Sequence, residues 1–218
     1  MPDGTTLFER VLPGPNRMYP DTDSAPIPII QELIDRIQNH LPKGVDQRLQ
    51  QLQEWQVPPD AFHYLLRNNL IPLVERIALD FKVEPKFAAT LLAHRLKHLQ
   101  GRVQPDQPFD FQRIYDLFAF IREQNLKPEI IFNMLPVVYE HPGLDFGSVL
   151  DDIHFSRRTL EHIFSCIPVL RHKFTEIRTS RDPSAGRRWM MKKLHPLAVG
   201  NVALPELAAT ISAGGDHD

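Results

Sequence analysis

The chain has 218 residues, 42% hydrophobic and 24% charged, with 25 Lys+Arg against 27 Asp+Glu and a formal net charge of −2. That apolar mass supports one or two globular domains and excludes disorder over most of the length, and no apolar run approaches the roughly 20 residues of a membrane-spanning helix. The one cysteine, Cys166, forms no intrachain disulfide, and the opening residues lack the apolar centre of a signal peptide, so a cytoplasmic address is expected.

Helical spacing runs almost throughout. Ile30, Leu33, Ile34, Ile37 and Leu41 place an apolar stripe on a first helix that stops before Pro42 and Gly44. A second runs from Val45 to Trp55, carrying Leu49 and Leu52. Pro58-Pro59-Asp60 opens a third, because proline fits the first turn and an acidic residue suits the N-terminal dipole. Asn68-Asn69 interrupts it, Ile71 to Phe81 forms the next, and a stronger helix follows Glu84-Pro85 from Lys86 to Leu99, ending at Gly101.

After a polar loop, Asp110 caps a helix bearing Ile114, Leu117, Phe118 and Ile121, and Lys127-Pro128-Glu129 starts another that Pro136 breaks. Pro59, Pro85 and Pro128 are thus helix starts. Beyond His141-Pro142-Gly143, Leu160, Ile163 and Phe164 fit one short helix, and Val169, Leu170, Phe174 and Ile177 fit the next. A polar stretch leads into Trp189–Leu194, Gly200 punctuates, and a last helix runs from Pro205 through Ile211, with Ser212–Asp218 expected as a disordered tail. No strict two-residue alternation exceeds about four positions after Ile27, so an all-α chain is expected.

The near-zero net charge conceals an asymmetry. Residues 1–156 hold 15 basic and 21 acidic side chains, whereas residues 157–195 hold 10 basic against 3 acidic. Arg187, Arg188, Lys192 and Lys193 bracket Trp189 and two methionines. Such a cluster suits phosphate neutralisation, and Trp189 either stacks a base or docks the helix into the core.

Other constellations are incomplete. His94 and His98 lie at i, i+4, but no Glu follows His94 as a zinc-protease helix needs. Cys166, four residues after His162, reads as a small buried hydrophobe. Asp151-Asp152 reads as a helix-end feature. No phosphate loop and no nucleophile elbow occurs.

The run Asp3-Gly4-Thr5-Thr6 followed by Leu12-Pro13-Gly14-Pro15-Asn16-Arg17-Met18-Tyr19-Pro20-Asp21-Thr22-Asp23 closely resembles the end of the catalytic cradle in the B/E subunit family of tRNA-dependent amidotransferases. It is nearest the archaeal-type E subunit of glutamyl-tRNA(Gln) amidotransferase, with Asp21 where the family usually has Glu. Val83–Leu92 resembles a helix of the family's helical domain. Met190–Leu194, Gly200 and Leu204–Leu207 resemble its terminal tail of the YqeY type.

The resemblance implies a division of labour. The cradle phosphorylates the misacylated residue on tRNA with ATP and Mg²⁺, a partner amidase delivers ammonia, and the helical and tail domains grip the tRNA body. The family is a carbon–nitrogen ligase with glutamine as amido donor. On this reading the chain is a C-terminal portion lacking the cradle, inactive alone, with no cofactor or metal of its own. Residues 1–26 are a cradle remnant, extended or disordered; 27–144 are a helical domain; 145–218 are a YqeY-like tail.

Its expected partners are tRNA at the tail and, through the parent protein, the amidase subunit, with no membrane or DNA. Arg157, Arg158, Arg187, Arg188, Lys192 and Lys193 are the expected phosphate contacts; Trp189, Met190 and Leu194 are expected to pack. Two departures keep an alternative open. Arg188 or Trp189 stands where the family has a small Gly, and Leu197–Val202 carries no positive charge where the family's loop is rich in Lys. The alternative is a degenerate paralogue serving as a helical protein-interaction module without tRNA binding.

Overall fold

Amphipathic spacing becomes helix through most of the described residues. In the computed structural model, which describes residues 28–177, 182 and 184–213, no strand occurs among the described residues. The cradle-like signature of residues 3–23 and the expected remnant over 1–26 lie outside the described residues.

Helix α1 (Gln31–His40) follows its predicted stripe and belongs to the unit Met1–Lys43; Gly44–Asp218 form a second unit. The α1 stripe is not core, for Ile37 is 52% and Leu41 63% exposed.

In the second unit, α2 (Val45–Glu54), α3 (Pro59–Arg67) and α4 (Ile71–Phe81) follow in short succession. Pro59 occupies the first turn of α3, and Pro72 does the same in α4, where the missing N–H costs nothing. Next comes a rod of α5 (Pro85–Thr90), a π-helical stretch Leu91–Leu96 and α6 (Lys97–Gln100). Leu91, Leu92 and Ala93 are all buried there, more consecutive apolar positions than one α-helical stripe accommodates, and the wider π turn takes them up.

Helix α7 (Gln112–Glu123) begins where the Asp110 carboxylate accepts from Gln112 N–H at 2.9 Å. A 3₁₀ turn started by Pro128 leads into α8 (Ile131–Glu140). Pro136 does not break α8; it lies exposed in the helix interior while Met134, Leu135 and Val138 stay buried around it.

These helices enclose one hydrophobic cluster centred on Phe118, whose ring stacks on Phe81 at 6.0 Å and meets Phe87 edge-on at 6.4 Å. Polar clasps close its surface. Tyr115 Oη donates to Asp80 at 2.8 Å, Tyr64 Oη to Gln100 at 2.7 Å, and Gln51 Nε2 to Glu75 at 2.6 Å.

One clasp is pH-sensitive. Asp106 N–H donates to Glu140 C=O, and His141 Nδ1–H donates to the Asp106 carboxylate at 2.8 Å, which raises the His141 pKa above its usual 6.5 or so. A raised folded value means that the clasp holds fully below about pH 6.5 and is lost as pH climbs through the folded pKa. The His141 ring followed by NMR should therefore titrate above pH 6.5, and Asp106→Asn should bring the midpoint back down. A midpoint at or below 6.5 in the unaltered protein would contradict this.

Sequence periodicity missed α9 (Phe146–Asp152), a short helix capped by Asp145, whose carboxylate accepts from Ser148 N–H and Oγ–H. These bonds lower the Asp145 pKa. Asp151 and Asp152 are the last two residues of α9. The two short helices expected from Leu160 to Ile177 are one helix, α10 (Leu160–Glu176), with Pro168 inside. Ile163, Ile167, Leu170 and Phe174 form a single stripe across the proline, and packing of that stripe outweighs the missing bond.

The stripe packs on α11 (Ala185–Ala198) and α12 (Leu204–Ala213), forming a second cluster of eight buried residues from Ile163 to Ile211. Ser212 and Ala213 belong to α12 rather than to the expected disordered tail; residues 214–218 lie outside the described residues.

Candidate nucleic-acid interface

The six cations expected to meet phosphate fall into three settings. Arg188 and Lys192 lie one turn apart on α11 and are exposed, beside His195. Arg188 is not free, because its Nη2 donates to Asp182 at 2.5 Å. Asp182 also accepts from Ser184 N–H and Oγ–H, and these bonds, with Arg188, lower its pKa.

Lys193 sits on the flank, its Nζ 5.8 Å from the centre of the Trp189 ring. Trp189 itself is half-buried against Phe174, with ring centres 5.7 Å apart, while Met190 and Leu194 are buried. All three expected packing residues thus pack. The structure shows the Trp189 ring engaged with Phe174 and Lys193.

Arg187 turns away from this set. It lines an open groove of about 480 Å³ with Arg171, Phe174, Gly186, Met190 and the acidic Asp182, between α10, α11 and the end of α12. Gly186 admits Phe174 there, since a Cβ would stand 3.1 Å from the ring. Arg171, which charge counting alone did not single out, donates to Ile211 C=O at 3.2 Å and adds a second guanidinium to the groove. Its position at i+4 from Ile167 on the α10 stripe was the signal that could have found it.

Arg157 and Arg158 occupy a third place, the extended segment between α9 and α10. Phe155 anchors that segment to the first cluster. Arg157 Nη2 donates to both the C=O and the side-chain oxygen of Gln124, at 2.8 and 3.0 Å. Arg158 N–H donates to Asn201 Oδ1 at 3.0 Å, and Asn201 Nδ2 donates to Ser156 C=O and Leu197 C=O. None of the six cations pairs with Glu161 or Glu176; Glu176 faces His172 at 3.4 Å.

Leu197–Val202, expected as a loop that has lost phosphate contacts, is a packing element. Ala198, Val199, Gly200 and Val202 are buried. Gly200 has φ +80°, and a Cβ there would lie 2.6 Å from Ile130 Cδ1 and 3.0 Å from Phe155 Cε2. Its carbonyl accepts from Lys127 N–H at 2.9 Å. Val199 and Gly200 take this seat against the first cluster, while Ala198 and Val202 are buried in the second, and the apolar character of the loop follows from packing on both.

His94 and Cys166 have structural partners. His94 Nε2 lies 3.1 Å from the Asp60 carboxylate, and Cys166 Sγ–H donates to His162 C=O. Among the described residues no three His, Cys, Asp or Glu side chains gather as a metal site would require, and no helix is long and apolar enough to cross a membrane.

The chain is similar to archaeal proteins named as the E subunit of glutamyl-tRNA(Gln) amidotransferase. It is 26% identical over 167 residues to that of Methanococcus maripaludis, covering 76% of this chain and 26% of the relative. It is 27% identical over 151 residues to that of Methanocaldococcus jannaschii (68% and 24%). With that of Pyrococcus furiosus it shares 29% over 143 residues (65% and 22%). The chain thus spans about a quarter of the length of these curated relatives. No family profile matches it, and no solved structure matches it.

Proposed function

We propose that this chain acts as the tRNA-binding part of an E-type subunit of glutamyl-tRNA(Gln) amidotransferase, supporting the conversion of Glu-tRNA(Gln) to Gln-tRNA(Gln). The observation that carries the reading is the similarity to the archaeal E subunits across most of the chain. The concentration of cations after residue 156 supplies the physical reason for an RNA partner.

Binding on this proposal is electrostatic and shape-based. Duplex RNA shows proteins its phosphates and 2′-hydroxyls more readily than its base edges. The exposed Arg188–Lys192 face of α11 meets one stretch of backbone, and the Arg157–Arg158 segment meets another. The YqeY-like tail expected over residues 145–218 serves through α10–α12, since α9 packs with the first cluster, and the phosphorylating and amidase functions reside in other parts of the assembly.

The test is tRNA binding measured against salt. If all six cations meet phosphates, affinity falls by about 10³-fold between about 50 and 200 mM salt. Absence of detectable binding at about 50 mM salt would overturn the reading and leave the helical protein-interaction module in its place.

A further inference from the structure

We propose that the seam between the two hydrophobic clusters holds a seat for a single phosphate group, and that filling it locks the α10–α12 cluster onto the α2–α9 cluster. The seat is a cavity of about 310 Å³ whose lining includes Asn125, Arg157, Arg158, Thr159, Gly200 and Asn201. Its walls come from both sides of the seam. Asn125 lies in the connection after α7, and Gly200 and Asn201 lie in the loop before α12.

No acidic residue lines the cavity. Two arginines therefore line it with no acidic side chain in the lining, and a phosphate dianion or phosphodiester supplies the counter-charge. Arg157 is already oriented: both of its bonds to Gln124 use Nη2, leaving Nη1 and Nε as further donors. The Arg158 guanidinium has no hydrogen bond or ion pair to another described residue, although its backbone N–H is fixed on Asn201. Thr159 Oγ1 takes the His162 N–H at the first turn of α10, so the arginine side chains, not the helix end, carry the attraction.

A ligand that touches both walls binds only the docked arrangement and stabilises it by mass action. The seam is otherwise held by few polar bonds, chiefly Lys127 N–H to Gly200 C=O, Arg158 N–H to Asn201 Oδ1 and Asn201 Nδ2 to Ser156 C=O. The seat goes beyond tRNA binding as such and rests on that reading only for the natural source of the phosphate, free anion or RNA backbone.

The experiment compares the whole chain with its Arg158→Gln variant, which removes a guanidinium that bonds to nothing else described. Hydrogen exchange at the Lys127 and Arg158 amides is followed in potassium phosphate and in potassium chloride of equal ionic strength. At a phosphate concentration about ten times its Kd, exchange at these two amides should slow about tenfold in the unaltered chain and not in the variant. Equal slowing in both chains, or none in either, overturns the seat.

A tRNA arm separates the sources. If the RNA backbone fills the seat, Arg158→Gln reduces the salt slope of tRNA binding by about one. An unchanged slope with phosphate protection intact supports a seat for the free anion. Firm tRNA binding without phosphate protection of the seam overturns the seat and leaves the tRNA reading standing.

Discussion

Gly200→Ala should destabilise the protein by about 2–5 kcal/mol in urea unfolding. Two costs combine. An L-residue at φ +80° pays roughly 1–2 kcal/mol for a left-handed backbone, and the new methyl group stands 2.6 Å from Ile130 Cδ1 and 3.0 Å from Phe155. Ile130 is fully buried, so its side chain has little room to withdraw, and overpacking of this kind costs about 1–3 kcal/mol. The substitution also pushes on the segment that bonds Lys127 N–H, so seam exchange should accelerate before the cores open. A loss below about 1 kcal/mol would show that the loop shifts freely and that Gly200 does not fix the seam.

The second large effect is expected for Leu194→Ala, at about 2–5 kcal/mol. Leu194 is 1% exposed on the inner face of α11, within a cluster of only eight buried residues. A cluster that small has few neighbours to collapse into the cavity, so the loss should fall towards the upper part of the range. Hydrogen exchange should then accelerate in α10–α12 by roughly one to three powers of ten, with α7 less affected. Uniform acceleration along the chain would mean that the two clusters open as one. If α11 carries RNA contacts, tRNA affinity falls in the same variant although Leu194 is buried away from any ligand.

Much of the helical architecture was legible because one-sided burial leaves a mark in spacing. Ile71 to Phe81, the rod after Pro85, and the stripe of Ile114, Leu117, Phe118 and Ile121 were all readable from apolar residues three and four apart. Helix-starting prolines were readable because a missing N–H is harmless only in the first turn. One interior proline misled for the same reason. Pro136, read as a break, lies inside α8, and Pro168 and Pro196, on which no reading rested, lie inside α10 and α11; a break predicted from one residue ignores what its neighbours gain. The short α9 carries too few residues for a period, and its capping pair Asp145 and Ser148 was the only local sign.

The candidate interface was less legible. Composition located the excess of cations after residue 156, yet it treated Arg187, Arg188, Lys192 and Lys193 as one patch. The roughly 100° step of a helix separates Arg187 from Arg188 on α11, and Asp182 occupies Arg188 from six residues upstream. The apolar Leu197–Val202 loop read as a loss of phosphate contacts, because nothing local reveals that Ile130 and Phe155 wait against it.

The sequence by itself determined the all-helical class, most helix starts, the cluster residues and the segment that holds the positive charge. Each of these depends on neighbours within a few turns or on simple totals. Only the tertiary structure decided that the buried residues divide into two clusters, that Gly200 and Asn201 join them, and that Arg157 and Arg158 share a cavity free of acidic groups. Those facts depend on residues far apart in the chain meeting in space, as Gln124 meets Arg157 and Lys127 meets Gly200, and no local period encodes such a meeting.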